Sequence, residues 1–181
     1  MDHFKATAYG LLICSQLTYA GFTLAETPPP SDRRGTIVIM DKDKFQCALP
    51  VPEAGNTIAY NFMDSKSPCK NDTARDIEFN EIPSATVITL TDSPTCVNNG
   101  ENFIFQFKTI KKSTTTDYIE LEYFKSYVRG AIVRPGLQLT LRFVNSEGDG
   151  IIRDRLSCVR ITTSAAPPSS VTETSAVPAQ P

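Results

Sequence analysis

The stretch ENFIFQFKTI, residues 101–110, decides the fold. Phe103, Phe105 and Phe107 occupy every second position, and Gln106 and Lys108 take alternate ones. Successive side chains of a β-strand point to opposite faces, so a strand here gathers three rings on one packed face and leaves the polar residues to water. A helix would turn Phe105 well away from Phe103 and Phe107 and gather no such face.

The same period of two recurs on both sides of it. GTIVIM (35–40) and SATVITLTD (84–92) are rich in β-branched residues, and TIAYNF (57–62) alternates Ile58, Tyr60 and Phe62 with polar or small residues. DYIELEYF (117–124) sets Ile119, Leu121 and Tyr123 against Glu120 and Glu122. LQLTLRFV (137–144) sets Leu137, Leu139, Leu141 and Phe143 against Gln138, Thr140 and Arg142, and CVRIT (158–162) pairs Val159 with Ile161. Turn chemistry separates the runs: Glu53-Ala54-Gly55-Asn56, Asn98-Asn99-Gly100, Arg134-Pro135-Gly136 and Glu147-Gly148-Asp149-Gly150. Short strands with one packed face and frequent tight turns predict an all-β, antiparallel two-sheet sandwich, with the Phe103/Phe105/Phe107 face at its centre.

The ends of the 181-residue chain do not share this pattern. MDHFK, an apolar run with small residues, and Thr23-Leu24-Ala25 read as a secretory signal peptide over residues 1–25. Ser15, Gln16 and Thr18 interrupt the run, which is too short and too polar for a stable membrane span. ETPPPSDRR (26–34) is an extended leader, and the Pro/Ser/Thr/Ala-rich residues 165–181 cannot bury enough apolar surface to order, so they form a disordered tail. Residues 35–164 remain as one domain, with halves at about 35–95 and 96–164.

Cys14 leaves with the signal, and Cys47, Cys69, Cys96 and Cys158 remain. An even number of cysteines in an exported chain predicts two disulfides and a secreted or periplasmic location. No pair has the C-x₂-C spacing of a zinc site. Sequence does not separate the three connectivities. Cys47–Cys69 with Cys96–Cys158 is preferred because each bond would then staple one half.

Much chemistry is excluded. The single histidine, His3, lies in the signal, so the usual Ser-His-Asp and Cys-His catalysis has no base, and no enzyme motif is present. The net charge of −2 and the small cluster Lys108, Lys111 and Lys112 do not make a nucleic-acid surface. Glu120 with Glu122, and Asp41 with Asp43, are carboxylate pairs at i,i+2 that a glycosidase could use, although strand alternation makes them solvent-facing acids first. Asn71-Asp72-Thr73 matches a glycosylation sequon.

Two further stretches resemble each other: KNDTARDIEF (70–79) and RDRLSCVRI (153–161). Each places an Asp in a turn, followed by a strand of alternating apolar residues, Ile77 and Phe79 in one and Val159 and Ile161 in the other. Both are similar to the loop [Asn/Asp]-[Asn/Asp]-x-x-[Ser/Thr]-Ser of the βγ-crystallin superfamily. Phe45-Gln46-Cys47 stands where that family has Phe-x-Gly, and Tyr127-Val128-Arg129-Gly130 is a looser second counterpart. The resemblance implies a wedge of two Greek-key motifs that in some members binds calcium and no other cofactor. It also implies that the second loop position gives a side-chain oxygen and the fifth a hydroxyl that completes the partner site. On these positions the ligands would be Asn71, Asp72, Asp154 and Ser157. Arg75 and Arg153 depart from the pattern. Each brings the positive charge a metal would bring, so each is expected to pair with Asp72 or Asp154. The competing expectation is that both Asp side chains cap their own turns through local hydrogen bonds.

Three functions follow. The preferred one is a secreted, non-enzymatic domain, inhibitor-, toxin- or effector-like as in other crystallin-like folds, that binds a secreted or cell-surface protein or glycan. Its candidate loops are pinned beside cysteines: Ser67, Pro68 and Lys70 at Cys69, and Pro94, Thr95, Asn98 and Asn99 at Cys96. The alternatives are a calcium-binding structural protein and a glycan-cleaving enzyme with paired carboxylates.

Overall fold

Alternation becomes strand almost wherever the sequence shows it. The computed structural model describes residues 34–97, 103–145 and 150–165. The expected signal peptide, the leader up to residue 33, the tail beyond residue 165, and Asn98 and Asn99 lie outside the described residues. The strands are β1 (Thr36–Asp41), β2 (Gln46–Pro50), β3 (Thr57–Asn61), β4 (Ala74–Asn80), β5 (Ile82–Pro83), β6 (Val87–Thr91), β7 (Phe103–Thr109), β8 (Ser113–Thr114), β9 (Ile119–Glu120), β10 (Ile132–Arg134), β11 (Leu137–Val144) and β12 (Cys158–Thr162).

They form a four-stranded sheet, β2-β1-β4-β9, a six-stranded sheet, β10-β11-β7-β6-β12-β3, and the small pair β5-β8. Every pairing is antiparallel. Two strands cross over: β3 is hydrogen-bonded to β12, and β9 to β4. β6, expected in the first half of the chain, pairs with β7 and β12.

One core joins the two larger sheets. Ile37, Ile39, Ile77 and Phe79 come from the first, and Ile88, Leu90, Phe105, Phe107, Val159 and Ile161 from the second. Phe79 meets Phe107 edge-on across the core, with ring centroids 6.1 Å apart. Each such side chain withdrawn from water contributes roughly 1.5–3 kcal/mol before ordering entropy is charged against it. Cys47–Cys69 and Cys96–Cys158 are bonded, each with 5.3 Å between Cα atoms, which is the pairing preferred above.

Two stretches depart from alternation. DYIELEYF is strand only over β9 and continues as a 3-10 segment, Leu121–Ser126. This buries Leu121 and Phe124 and leaves Tyr123, expected inward, 58% exposed. The cause lies in two i,i+3 relations: Leu121 with Phe124, and Glu122 with Lys125, which form an ion pair. A three-residue turn places such pairs on one face, which a strand cannot do. Phe124 then stacks against Phe107 and Phe105 at 4.7 and 5.7 Å.

In LQLTLRFV, the register of β11 against β7 shifts between Leu139 and Leu141. Leu139 lies opposite Phe107 on the core side, whereas Leu141 and Phe143 lie opposite Gln106 and Ile104 on the outer face. Thr140 takes up the extra residue and donates its hydroxyl to the Gln106 carbonyl at 3.0 Å.

Candidate functional site

The two Asp loops precede β4 and β12. Asp72 and Asp154 both adopt the left-handed conformation, with φ of 54° and 58°. Asp tolerates this region better than most non-glycine residues. The Asp154 amide donates to the Ala74 carbonyl at 3.1 Å, so the loops are stitched together.

Their side chains cross. Arg75, fifth in the first loop, grips Asp154, second in the other, through two parallel bonds: Nε to Oδ1 at 2.6 Å and Nη2 to Oδ2 at 2.5 Å. Hydrogen bonding to Asp154 raises the Arg75 pKa further above its ordinary value. Ser157, fifth in the second loop, donates its hydroxyl to Asp72 Oδ1 at 3.4 Å. Asn71 Nδ2 donates to Asp72 Oδ2 at 2.7 Å. Asp154 is therefore held by a side chain of the other loop, and Asp72 by Ser157 of the other loop and by its own neighbour Asn71.

Arg153 corrects the expectation made for it: it pairs with Glu120. Glu120 and Glu122 are not neighbours on one strand face. Glu122 pairs with Lys125 and accepts the backbone N–H groups of Ile152 and Arg153, both at 3.2 Å. Burial alone would raise its pKa, but the bonds from Lys125, Ile152 and Arg153 outweigh burial and hold it below the ordinary carboxylate value. Asp41 caps the β1–β2 turn by accepting from the Asp43 and Phe45 amides at 2.8 and 2.9 Å.

A recess of about 280 Å³ opens beside Asp72. Asn71, Asp72, Asp92 and Ser157 line it, with Met63 and Arg155 among the other lining residues. Asp92 is buried and accepts the Phe103 amide at 3.3 Å. Sequence reasoning missed Asp92. Its only signal is an acid placed where the β6 run meets Ser-Pro, which is turn chemistry with no hint of a shared recess. The amide oxygen of Asn71 is buried and has no hydrogen-bond partner.

The donor chemistry differs between the two loops. At Asp154 a guanidinium occupies both carboxylate oxygens, so calcium does not fit. At Asp72, the side chains of Asn71, Asp72, Asp92 and Ser157 line one recess, and among the described residues no group of three or more His, Cys, Asp or Glu is placed to hold a metal ion.

Of the candidate binding-loop residues, Pro94 reaches the recess, whereas Lys70, which directly precedes Asn71, lines a separate one with Phe45, Cys47 and Cys69. Lys70 Nζ stands 5.4 Å from the centroid of the exposed Phe45 ring. The Ser67 hydroxyl accepts the Cys69 amide, and Arg160 holds the Thr95 carbonyl at 3.1 Å. Pro68 is exposed beside the Cys47–Cys69 bond. Tyr127–Gly130 lies between the 3-10 segment and β10, away from both loops in the chain. Among the described residues, no helix is long and apolar enough to cross a membrane. No family model, curated protein or solved structure matches this chain.

Proposed function

We propose that the chain is an exported, non-enzymatic β-domain with two crystallin-like Greek-key motifs, and that it recognises a secreted or cell-surface macromolecule through the rim of the Asp72 recess. The strand order supports the architecture. In each of β2-β1-β4 and β7-β6-β12, the first strand of a motif is flanked by its second and fourth, and the third strand, β3 or β9, sits in the opposite sheet. On this reading the second motif begins at β6, not at residue 96, and β10 and β11 are an insertion that widens one sheet.

One observation carries the recognition reading: two loops anchored by separate disulfides border a single recess. Loops fixed in advance lose little entropy on binding, and two disulfides suit an oxidising compartment. The test is photo-crosslinking to culture-medium and cell-surface fractions, with the crosslinker at Met63 or Pro94 on the rim, or at Lys112 beyond the far end of β7. Adducts should form from the rim positions only and disappear when the disulfides are reduced. Equal labelling from Lys112, or none from the rim, refutes the reading.

The buried, unpartnered Asn71 oxygen favours calcium as a second reading of the same recess. Calcium would then raise the melting temperature of the full chain and a chelator would lower it, by mass action on the folded state.

A further inference from the structure

Asn71-Asp72-Thr73 is a motif that the recognition reading leaves unused. The chain has eight asparagines, and Asn71 alone is followed two residues later by Ser or Thr. It lies in the turn between the buried Cys69 and β4, with Lys70 and Asp72 exposed on either side. Chemistry fixes the orientation of its side-chain amide. An ionised carboxylate only accepts hydrogen bonds, so the Asn71 atom 2.7 Å from Asp72 Oδ2 is the nitrogen. Nδ2 therefore faces the exposed Asp72, while Oδ1 faces inward and is buried. Among the described residues Nδ2 donates one hydrogen bond, which leaves its second N–H uncommitted.

We infer that Asn71 carries an N-linked glycan. This goes beyond the recognition reading and rests on its exported part, because the sugar is transferred during export. Asn71 Nδ2 attacks C1 of the first sugar of a lipid-linked oligosaccharide pyrophosphate. The N–C1 bond forms and the C1–O bond breaks. The lipid pyrophosphate leaves with the C1–O electron pair and takes up the proton that Nδ2 loses. A glycan is bulky and strongly hydrated, so a fold retains one only where the amide nitrogen faces solvent. Asn71 meets that condition: the sugar replaces the uncommitted N–H hydrogen, and the other N–H keeps its bond to Asp72. Asn71 also lines the recess of about 280 Å³, so the first sugar meets open space there. The Thr73 hydroxyl, the third element of the motif, stays at the surface and is held only by a 3.3 Å bond to the Lys70 carbonyl.

The experiment expresses the full chain in a eukaryotic secretory host, once with its own start and once with the host's signal peptide ahead of the whole chain. Disulfide-bonded protein is digested, and the Asn71 peptide is weighed before and after a glycosidase that removes the glycan and leaves an aspartate in place of the asparagine. The unglycosylated mass should appear only after the enzyme. The gel shift of one glycan should be lost in Asn71→Gln and Thr73→Ala and kept in Thr73→Ser. Peptide mapping of the unaltered chain keeps the test decisive should a variant fold poorly. An unmodified Asn71 peptide in both arms overturns this inference alone and leaves the crosslinking test standing. A glycan only behind the host's signal removes the exported reading and this inference with it. A glycosylated chain in which Cys47–Cys69 does not close also overturns it, because the fold would then reject the sugar.

Discussion

Breaking the Arg75–Asp154 clamp tests whether a protein cation holds the two loops together. The clamp has two charge-assisted bonds of 2.6 and 2.5 Å, and its side chains are 30% and 32% exposed. Fully exposed pairs contribute about 0.2–1 kcal/mol, while hydrogen bonds to charged groups reach about 1.5–3 kcal/mol in mutational series. Partial exposure places the coupling between these ranges, at about 1–2 kcal/mol after solvent screening. The perturbations are Arg75→Met, which keeps much of the aliphatic stem, Asp154→Asn, which keeps the shape, and the double variant. Urea unfolding of all four proteins with intact disulfides, in chelator, gives the coupling by difference. Arg75→Met should cost more than the coupling itself because it leaves a half-buried carboxylate without its partner. The double variant should recover part of that loss. A coupling below about 0.3 kcal/mol, the scale at which independent sites already add, would refute the clamp as the fastener of the loops.

Phe124→Ala should destabilise the domain by about 3–5 kcal/mol, whereas Tyr123→Ala should stay within about 0.5 kcal/mol; urea midpoints that reverse this order would restore the strand. Removing Cys96–Cys158, which spans 62 residues, should cost about 1 kcal/mol more than removing Cys47–Cys69, which spans 22, because the longer bond restricts the unfolded chain more; equal losses in paired Cys→Ala variants would contradict this. The folded-state pKa of Glu122 lies below its ordinary value of 4.5, so its stabilising contribution is present above that pH and fades as pH falls through the folded value. Glu122→Gln should therefore cost more at about pH 7 than at about pH 3, and an unchanged difference between the two would show that Glu122 does not hold the Ile152–Arg153 turn.

Phe103, Phe105 and Phe107 were legible because a packed sheet face imposes a period of two on sequence. DYIELEYF was not, because it satisfies two periods at once: Leu121 and Tyr123 suit a strand, while Leu121 and Phe124 suit a three-residue turn. The choice is made by Phe105 and Phe107, which receive the Phe124 ring. The shift at Thr140 leaves no local mark, since no glycine announces it and Leu141 remains apolar on the outer face. At the loops, sequence identified two arginines and two aspartates but not their partners. Arg153 is adjacent to Asp154 in the chain and is drawn away to Glu120, while Arg75 reaches Asp154 across 79 residues. That crossing depends on β4 and β12, which lie in different sheets, both starting just after an Asp loop, so that the turns meet where the Asp154 amide reaches the Ala74 carbonyl. Each fifth residue then points at the other loop's acid, Arg75 at Asp154 through two short bonds and Ser157 at Asp72 through one long one.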